Sequence, residues 1–143
     1  MCIRDRGTFG GAIFSVTQGR SGLTKGQTTL SLLESDFPGA PSYSKCPKAA
    51  ADTGVFGPFA SAASSRILQT LRSRDNHGSF RTRGRFSSGT VRGTVWTTVD
   101  RCDGTLTIVK RGTVVVDDFG LRKTITVNGG HSYLARAPRH KHK

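Results

Sequence analysis

The stretch that decides the fold is Thr90–Asp118, which reads TVRGTVWTTVDRCDGTLTIVKRGTVVVDD. Apolar and polar residues alternate along most of it, which is typical of β-strands with one buried face. Its Gly-Thr pairs are interpreted as strand entries, because glycine permits turn conformations and β-branched threonine suits the start of a strand. A phosphate-binding glycine loop would need a helix to follow it, and no helix pattern follows here. The stretch therefore predicts a sheet rather than a ligand site.

Turn dipeptides divide this region into short strands. Asp103-Gly104 and Asn128-Gly129 are hairpin signals, and a further turn is expected at Arg111-Gly112. We therefore predict that Val91–Ala135 forms an antiparallel meander without a helix, with its first strand running from Val91 to Val99. The side chains predicted to be buried in this meander are Val95, Leu106, Ile108, Val114, Val116 and Ile125.

The chain before this region also alternates. Gly11–Thr17 and the segment from Thr28 onward predict two strands. Arg66–Ser73 and Ser79–Phe86 predict a hairpin around the turn cluster DNHG, and the alternative for the first of these segments is a helix. Asp36–Ala63 is rich in proline, alanine and glycine and reads as a long loop.

These patterns predict one all-β domain. A chain of 143 residues is one domain by length. We expect an antiparallel meander that closes into a sandwich or a barrel-like sheet and carries the long Pro/Ala/Gly-rich loop. The domain is expected to span 7–137, with its core in 66–137, followed by a basic disordered tail at 138–143. Residues 1–6, MCIRDR, resemble a translated sequencing adapter, and we interpret them as non-native; the alternative is an ordinary disordered terminus.

The charge of the chain is strongly positive. The formal net charge is +13, from 22 basic and 9 acidic residues. The part from Arg66 to Lys143 holds 16 basic and 5 acidic residues, so +11 of that charge lies there. Such a field attracts anions, whether nucleic acid, anionic lipid or an acidic cell-wall polymer. No run of 18 apolar residues is present, so no transmembrane helix is expected.

The segment SFRTRGRF offers the clearest candidate for anion binding. Alternation places Arg81, Arg83 and Arg85 on one face of a strand, and Arg92 is a fourth candidate. A functional interpretation is a stripe for phosphate or carboxylate groups. The alternative is a solvated strand face that discourages pairing of sheet edges.

Trp96 and four aspartates are further candidates for a functional site, and structural interpretations account for them. Trp96 falls on the polar face by alternation, where it is either a stacking platform or packed against the long loop. The carboxylates Asp100, Asp103, Asp117 and Asp118 lie near turns, where aspartate is common for its backbone hydrogen bonds. We therefore expect no enzymatic activity, no cofactor and no metal site.

At these residues the chain resembles a known family. VRGTVW, DGTLTIVKRGTVVV and ITVNGGHSYLA are similar to the FecR-type, ferric-citrate-regulator-like, domain of exported bacterial proteins. The resemblance covers about Phe80 to Ala135, and DRCDGTLT is its more specific part. It implies an all-β domain outside the cytoplasm and brings no catalytic residues. Sensor or regulator roles belong to some members of that family.

Two cysteines remain once Cys2 is set aside with the suspected artefact. In an exported protein, Cys46 and Cys102 form an even pair, which predicts a disulfide. Two free buried thiols or a metal pair are the alternatives, although no histidine lies near either cysteine in the sequence.

The function expected from the sequence is that of a non-enzymatic domain, exported or in the cell envelope, with a structural or adhesive role. The expected partner is an anionic polymer or cell-wall component. The alternative is a cytoplasmic β domain that binds nucleic acid.

Overall fold

The computed structural model describes residues 6–20, 22, 26–34, 38, 40–43, 46, 66–77, 79–91 and 94–137. Within them the protein is all-β, with eleven strands in two sheets and no α-helix. The described residues accordingly contain no helix of the length and apolarity needed to span a membrane. The all-β prediction is confirmed.

The strands are numbered in chain order. They are β1 (Arg6–Gly10), β2 (Phe14–Gln18), β3 (Thr28–Leu32), β4 (Ile67–His77), β5 (Phe80–Arg83), β6 (Ser87–Val91), β7 (Val95–Arg101), β8 (Gly104–Arg111), β9 (Thr113–Asp118), β10 (Lys123–Asn128) and β11 (His131–Arg136).

The two sheets pack face to face as a sandwich. One is five-stranded with the order β1-β4-β7-β8-β11, and the other is six-stranded with the order β10-β9-β6-β5-β3-β2. All neighbouring strands are antiparallel except β3 and β5, which are parallel. The chain forms the hairpins β2-β3, β5-β6, β7-β8 and β9-β10, and it crosses to the other sheet after each of them.

The predicted meander is wrong, although its strands are present. The β7-β8 hairpin forms around the expected turn, but β8 and β9 lie in different sheets. Likewise β11 pairs with β8 and not with β10. Gly112 and Gly130 adopt φ values of +89° and +87° where the chain crosses between sheets. The turns at 111–112 and 128–130 therefore connect strands of different sheets and do not close hairpins. Alternation alone does not encode which sheet a strand joins.

The predicted hairpin of β4 with β5 is also wrong. Both segments are strands, which excludes the helical alternative, but β4 pairs with β1 and β7 in the five-stranded sheet. The strand predicted over Val91–Val99 is likewise divided, with Val91 in β6 and Val95 in β7. Of the predicted long loop, the structure describes only residues 38, 40–43 and 46. The remainder of that loop, 1–5 and the tail at 138–143 lie outside the described residues.

Only two of the six side chains predicted to be buried in the meander are fully buried. Val114 and Val116 are fully buried at 0% exposure, whereas Ile108 is 41% exposed and the other three are only half-buried. The reason lies in the phase of β8, which turns Thr105, Thr107 and Val109 inward. The side chains that form the core cluster are Leu30, Leu71, Phe80, Val91, Trp96, Val109, Val114, Val116 and Val127.

The cysteine pair connects the described part of the long loop to the β7-β8 turn. Cys46 and Cys102 lie at disulfide distance, with their Sγ atoms 2.07 Å apart and their Cα atoms 5.6 Å apart. The Cys102 amide also donates to the Arg66 carbonyl oxygen at 3.0 Å. The predicted proximity of the two cysteines is confirmed.

We predict that Gly104→Ala destabilises the domain by about 2–4 kcal/mol, because the new methyl group overlaps the carbonyl oxygen of Ala135 on β11. Gly10→Ala is the matched control, since no atom lies within 4 Å of a methyl group there. Urea unfolding of both variants measures the difference. Equal stability of the two variants would contradict the close packing of the β7-β8 turn on β11.

We predict that Cys46→Ser combined with Cys102→Ser lowers the free energy of unfolding by about 4 kcal/mol, because the cross-link spans 56 positions of the chain. Wild-type protein with a reductant should unfold at the same denaturant concentration as the variant without it. An unfolding midpoint that does not respond to reductant would show that the two thiols are not bonded.

Candidate anion-binding surface

The outer face of the six-stranded sheet carries two ordered rows of side chains, and all of them except Val115 are polar. We call this surface the arginine face, because Arg81 and Arg83 stand at its centre on β5. Six strands at ordinary spacing give each row a width of roughly 24 Å. The strand register places Thr17, Thr29, Arg81, Thr90, Val115 and Thr126 in one row and Ser15, Ser31, Arg83, Ser88, Asp117 and Thr124 in the other.

The two central arginines are both held by neighbours. Arg81 Nη2 donates to Ser88 Oγ at 2.9 Å, and its side chain is half-buried. Arg83 is exposed, and its guanidinium lies 5.1 Å from the centre of the Phe119 ring. As alternate residues of one strand, their Cα atoms are about 6.8 Å apart. The sheet thus presents two guanidinium groups side by side among hydroxyl groups.

Arg85 lies just beyond the end of β5 and has a different role. Its guanidinium is 4.3 Å from the centre of the Tyr43 ring and forms an ion pair of 2.7 Å with Glu34. The charge of Arg85 is therefore largely balanced within the protein. The sequence correctly placed it on the surface, but the structure separates it from the pair formed by Arg81 and Arg83. Arg92, the fourth candidate, lies outside the described residues.

Trp96 is not a stacking platform. Its side chain is 1% exposed, and its indole Nε1 donates to Thr82 Oγ1 at 3.0 Å. The ring of Phe9 meets it edge-on with the two centroids 6.1 Å apart. Alternation correctly grouped Trp96 with polar residues, but that polar face of β7 is the buried one. An exposed ring face would be needed to stack a base or a sugar.

A hydrogen-bonded network surrounds Trp96 and joins the two sheets. Thr82 on β5 and Thr98 on β7 share a hydrogen bond of 2.9 Å between their hydroxyl oxygens. Thr105 Oγ1 donates to Asp100 Oδ1 at 2.7 Å and accepts from the Phe86 amide at 2.9 Å. This network was not predicted from the sequence, because threonine is common on both faces of strands.

Asp100 is the carboxylate of this network and fixes the turn that carries Arg85. Its Oδ1 accepts a hydrogen bond of 3.0 Å from the Arg85 backbone amide. Burial raises the pKa of the Asp100 carboxyl above its usual range, while the hydrogen bonds from the Arg85 amide and the Thr105 hydroxyl partly oppose that rise.

The other carboxylates also bind within the fold. Asp118 accepts from the Gly120 and Leu121 amides and, at 2.7 Å, from the Tyr133 hydroxyl. Burial and then this carboxylate raise the pKa of Tyr133 to about 12. Asp103 pairs with Arg101, and Asp117 accepts from the Thr124 hydroxyl. Within the described ranges, no group of three or more metal-ligating side chains is brought together.

The opposite side of the sandwich holds basic residues that the sequence analysis missed. Arg72 and Arg74 on β4, and Lys110 and Arg111 on β8, are all exposed. We call these four residues the opposite basic patch. The available signal was the motif LRSRD, in which Arg72 and Arg74 alternate just as Arg81 and Arg83 do in FRTRG.

Comparison of the chain with protein-family models, with curated proteins and with solved structures finds no match. The FecR-type resemblance therefore stays a prediction from the sequence.

We predict that Asp100→Asn gains stability relative to wild type as the pH rises from about 4, the ordinary pKa of an aspartate. Below that pH both chains are neutral at this position. Above that pH, the wild-type carboxyl keeps its proton in the folded state, because its native pKa is raised, but loses the proton on unfolding. The free energy of unfolding of wild type therefore falls as the pH rises from about 4 to the native pKa of Asp100, and it stays lower above that pKa.

Urea unfolding at several pH values measures this difference. Asp103→Asn is the control, since it removes an ion pair with Arg101 and should bring no gain at neutral pH. A growing advantage of wild type over Asp100→Asn as the pH rises would contradict the prediction.

Proposed function

We propose that this protein is a non-enzymatic domain, exported or in the cell envelope, that binds an anionic polymer through the arginine face and has a structural or adhesive role. The observation that carries the proposal is the placement of Arg81 and Arg83 side by side at the centre of a broad hydroxyl-bearing sheet. Guanidinium groups pair with phosphate, sulfate and carboxylate oxygens, and neighbouring hydroxyl groups supply further donors.

The local charge supports this choice of partner. Asp117 is the one acidic residue in the two rows, and it lies two strands away from Arg83, at about 10 Å. Its carboxylate accepts a hydrogen bond from Thr124. The centre of the arginine face is therefore positive, and the net charge of +13 adds long-range attraction for a polyanion.

Export is supported by the cysteine pair and by the FecR-type resemblance. Disulfides persist in oxidising compartments outside the cytoplasm and are rare inside it. Cys46 and Cys102 lie at disulfide distance, which suits a domain that works in such a compartment.

A cytoplasmic nucleic-acid-binding domain is the second candidate, and the positive charge favours it equally. Single-stranded nucleic acids are usually held by exposed aromatic rings as well as by charge. Among the described residues, every Phe, Tyr and Trp side chain is buried or half-buried. This observation makes an acidic polymer without bases the better-matched partner.

We predict that the protein binds immobilised dextran sulfate, polygalacturonate or a glycerol-phosphate polymer with an affinity that falls steeply as salt is added. Arg81→Gln combined with Arg83→Gln should weaken binding about tenfold, since two charge-assisted contacts are lost. Biolayer interferometry over a salt series measures both effects.

Arg66→Gln combined with Arg136→Gln is the matched control, because it removes the same charge from two exposed positions outside the arginine face. Binding to single-stranded DNA alone, together with reduced Cys46 and Cys102 in protein taken directly from its native cells, would favour the cytoplasmic candidate. Binding to none of these polymers at low salt would refute the proposal.

A further inference from the structure

The opposite basic patch extends over three neighbouring strands of the five-stranded sheet, β4, β7 and β8. Strand register places Arg74 beside Val95 and Val95 beside Arg111, so β7 lies between two cationic strands. Arg72 adds a second charge on β4, one alternate position from Arg74. At ordinary strand spacing, the charges on β4 and β8 stand about 10 Å apart.

Within the described ranges, no acidic side chain forms an ion pair with the charges of this patch. The ion pairs among the described residues are Arg85–Glu34 and Arg101–Asp103, and neither involves the patch. Asp75 on β4 is buried, and its Oδ1 accepts from the Thr94 amide. The arginine face differs, because Arg81 and Arg83 already contact Ser88 and Phe119.

Lys110 reaches the patch through an irregularity in the sheet. The pairing of β7 with β8 shifts by one residue between Val95 and Trp96, and Lys110 is the extra residue on β8. Lys110 and Arg111 therefore place two charges at the end of β8. The half-buried Val95 and Thr97 of β7 lie between the two charged strands.

The positive charge of this patch favours an anionic polymer chain as its ligand. A second copy of the protein also carries +13 and would be repelled. A partner with phosphate, sulfate or carboxylate groups on both sides of an extended backbone would meet Arg72 and Arg74 on one side and Lys110 and Arg111 on the other.

We propose that the domain is bivalent and cross-links two anionic polymer chains, one on the arginine face and one on the opposite basic patch. This inference rests on the proposed function. The two surfaces belong to different sheets, which pack about 10 Å apart and turn their outer faces in opposite directions. A straight polymer segment contacts one of these surfaces only, so occupation of both joins two segments.

Sucrose octasulfate tests the number of sites, because this compact polyanion is too small to touch both faces. Isothermal titration should give two molecules bound per wild-type chain. Arg72→Gln with Arg74→Gln, or Arg81→Gln with Arg83→Gln, should reduce the stoichiometry to one. The control Arg66→Gln with Arg136→Gln has the same net charge as either variant and should retain two. A wild-type stoichiometry of one would overturn bivalence.

Light scattering with long dextran sulfate tests cross-linking. Wild type and the control should form large assemblies at intermediate protein-to-polymer ratios, and excess protein should dissolve them. Arg72→Gln with Arg74→Gln should still bind the immobilised polymer but scatter little. Equal scattering from this variant and the control, or dimers of the wild type without polymer, would overturn cross-linking and leave the proposed function standing. Absence of any polymer binding would remove both.

Discussion

Hydrogen bonds between the sheets are the constraint on which this sandwich depends. Thr82 on the six-stranded sheet bonds to both Trp96 and Thr98 on the five-stranded sheet. Nearby, the Arg85 amide reaches Asp100 across the same interface. Buried polar groups are costly unless they are paired, so these bonds fix how the layers are aligned in a way that apolar contacts alone do not.

The same constraint explains where prediction from the sequence stopped. Alternation located the strands, because its period of two is a local property of the chain. The phase of β8 was misread, since Leu106 and Ile108 look like core residues while Thr105 and Thr107 are the ones turned inward. Only a partner on the opposite sheet makes a threonine suitable for the interior, and that partner is distant in sequence. The sheet that each strand joins could not be predicted either, because it also depends on partners that are distant in sequence.

The candidate surface was predicted in part. Alternation in FRTRG placed Arg81 and Arg83 on one side of a strand, and both share the outer face of β5. Alternation could not show that Arg85 leaves this row. The chain turns after Arg83, and the Asp100 carboxylate accepts a hydrogen bond from the Arg85 amide in that turn. Nor could alternation show that Arg72 and Arg74 lie on the reverse side, since this depends on β4 and β5 entering different sheets.

The two basic surfaces differ in the side-chain entropy that they would lose on binding a ligand. Arg81 and Arg83 are already restrained by Ser88 and by the Phe119 ring, so little side-chain entropy remains to be lost when they bind an anion. Arg72, Arg74, Lys110 and Arg111 are exposed, and ordering them costs more, but none of their charge is balanced by a described acidic neighbour. Restraint favours selectivity for a particular arrangement of anionic groups, whereas unbalanced charge favours rapid, salt-sensitive capture. If the domain is bivalent as proposed, it would capture one polymer on its basic patch and hold a second one in a defined orientation on its arginine face.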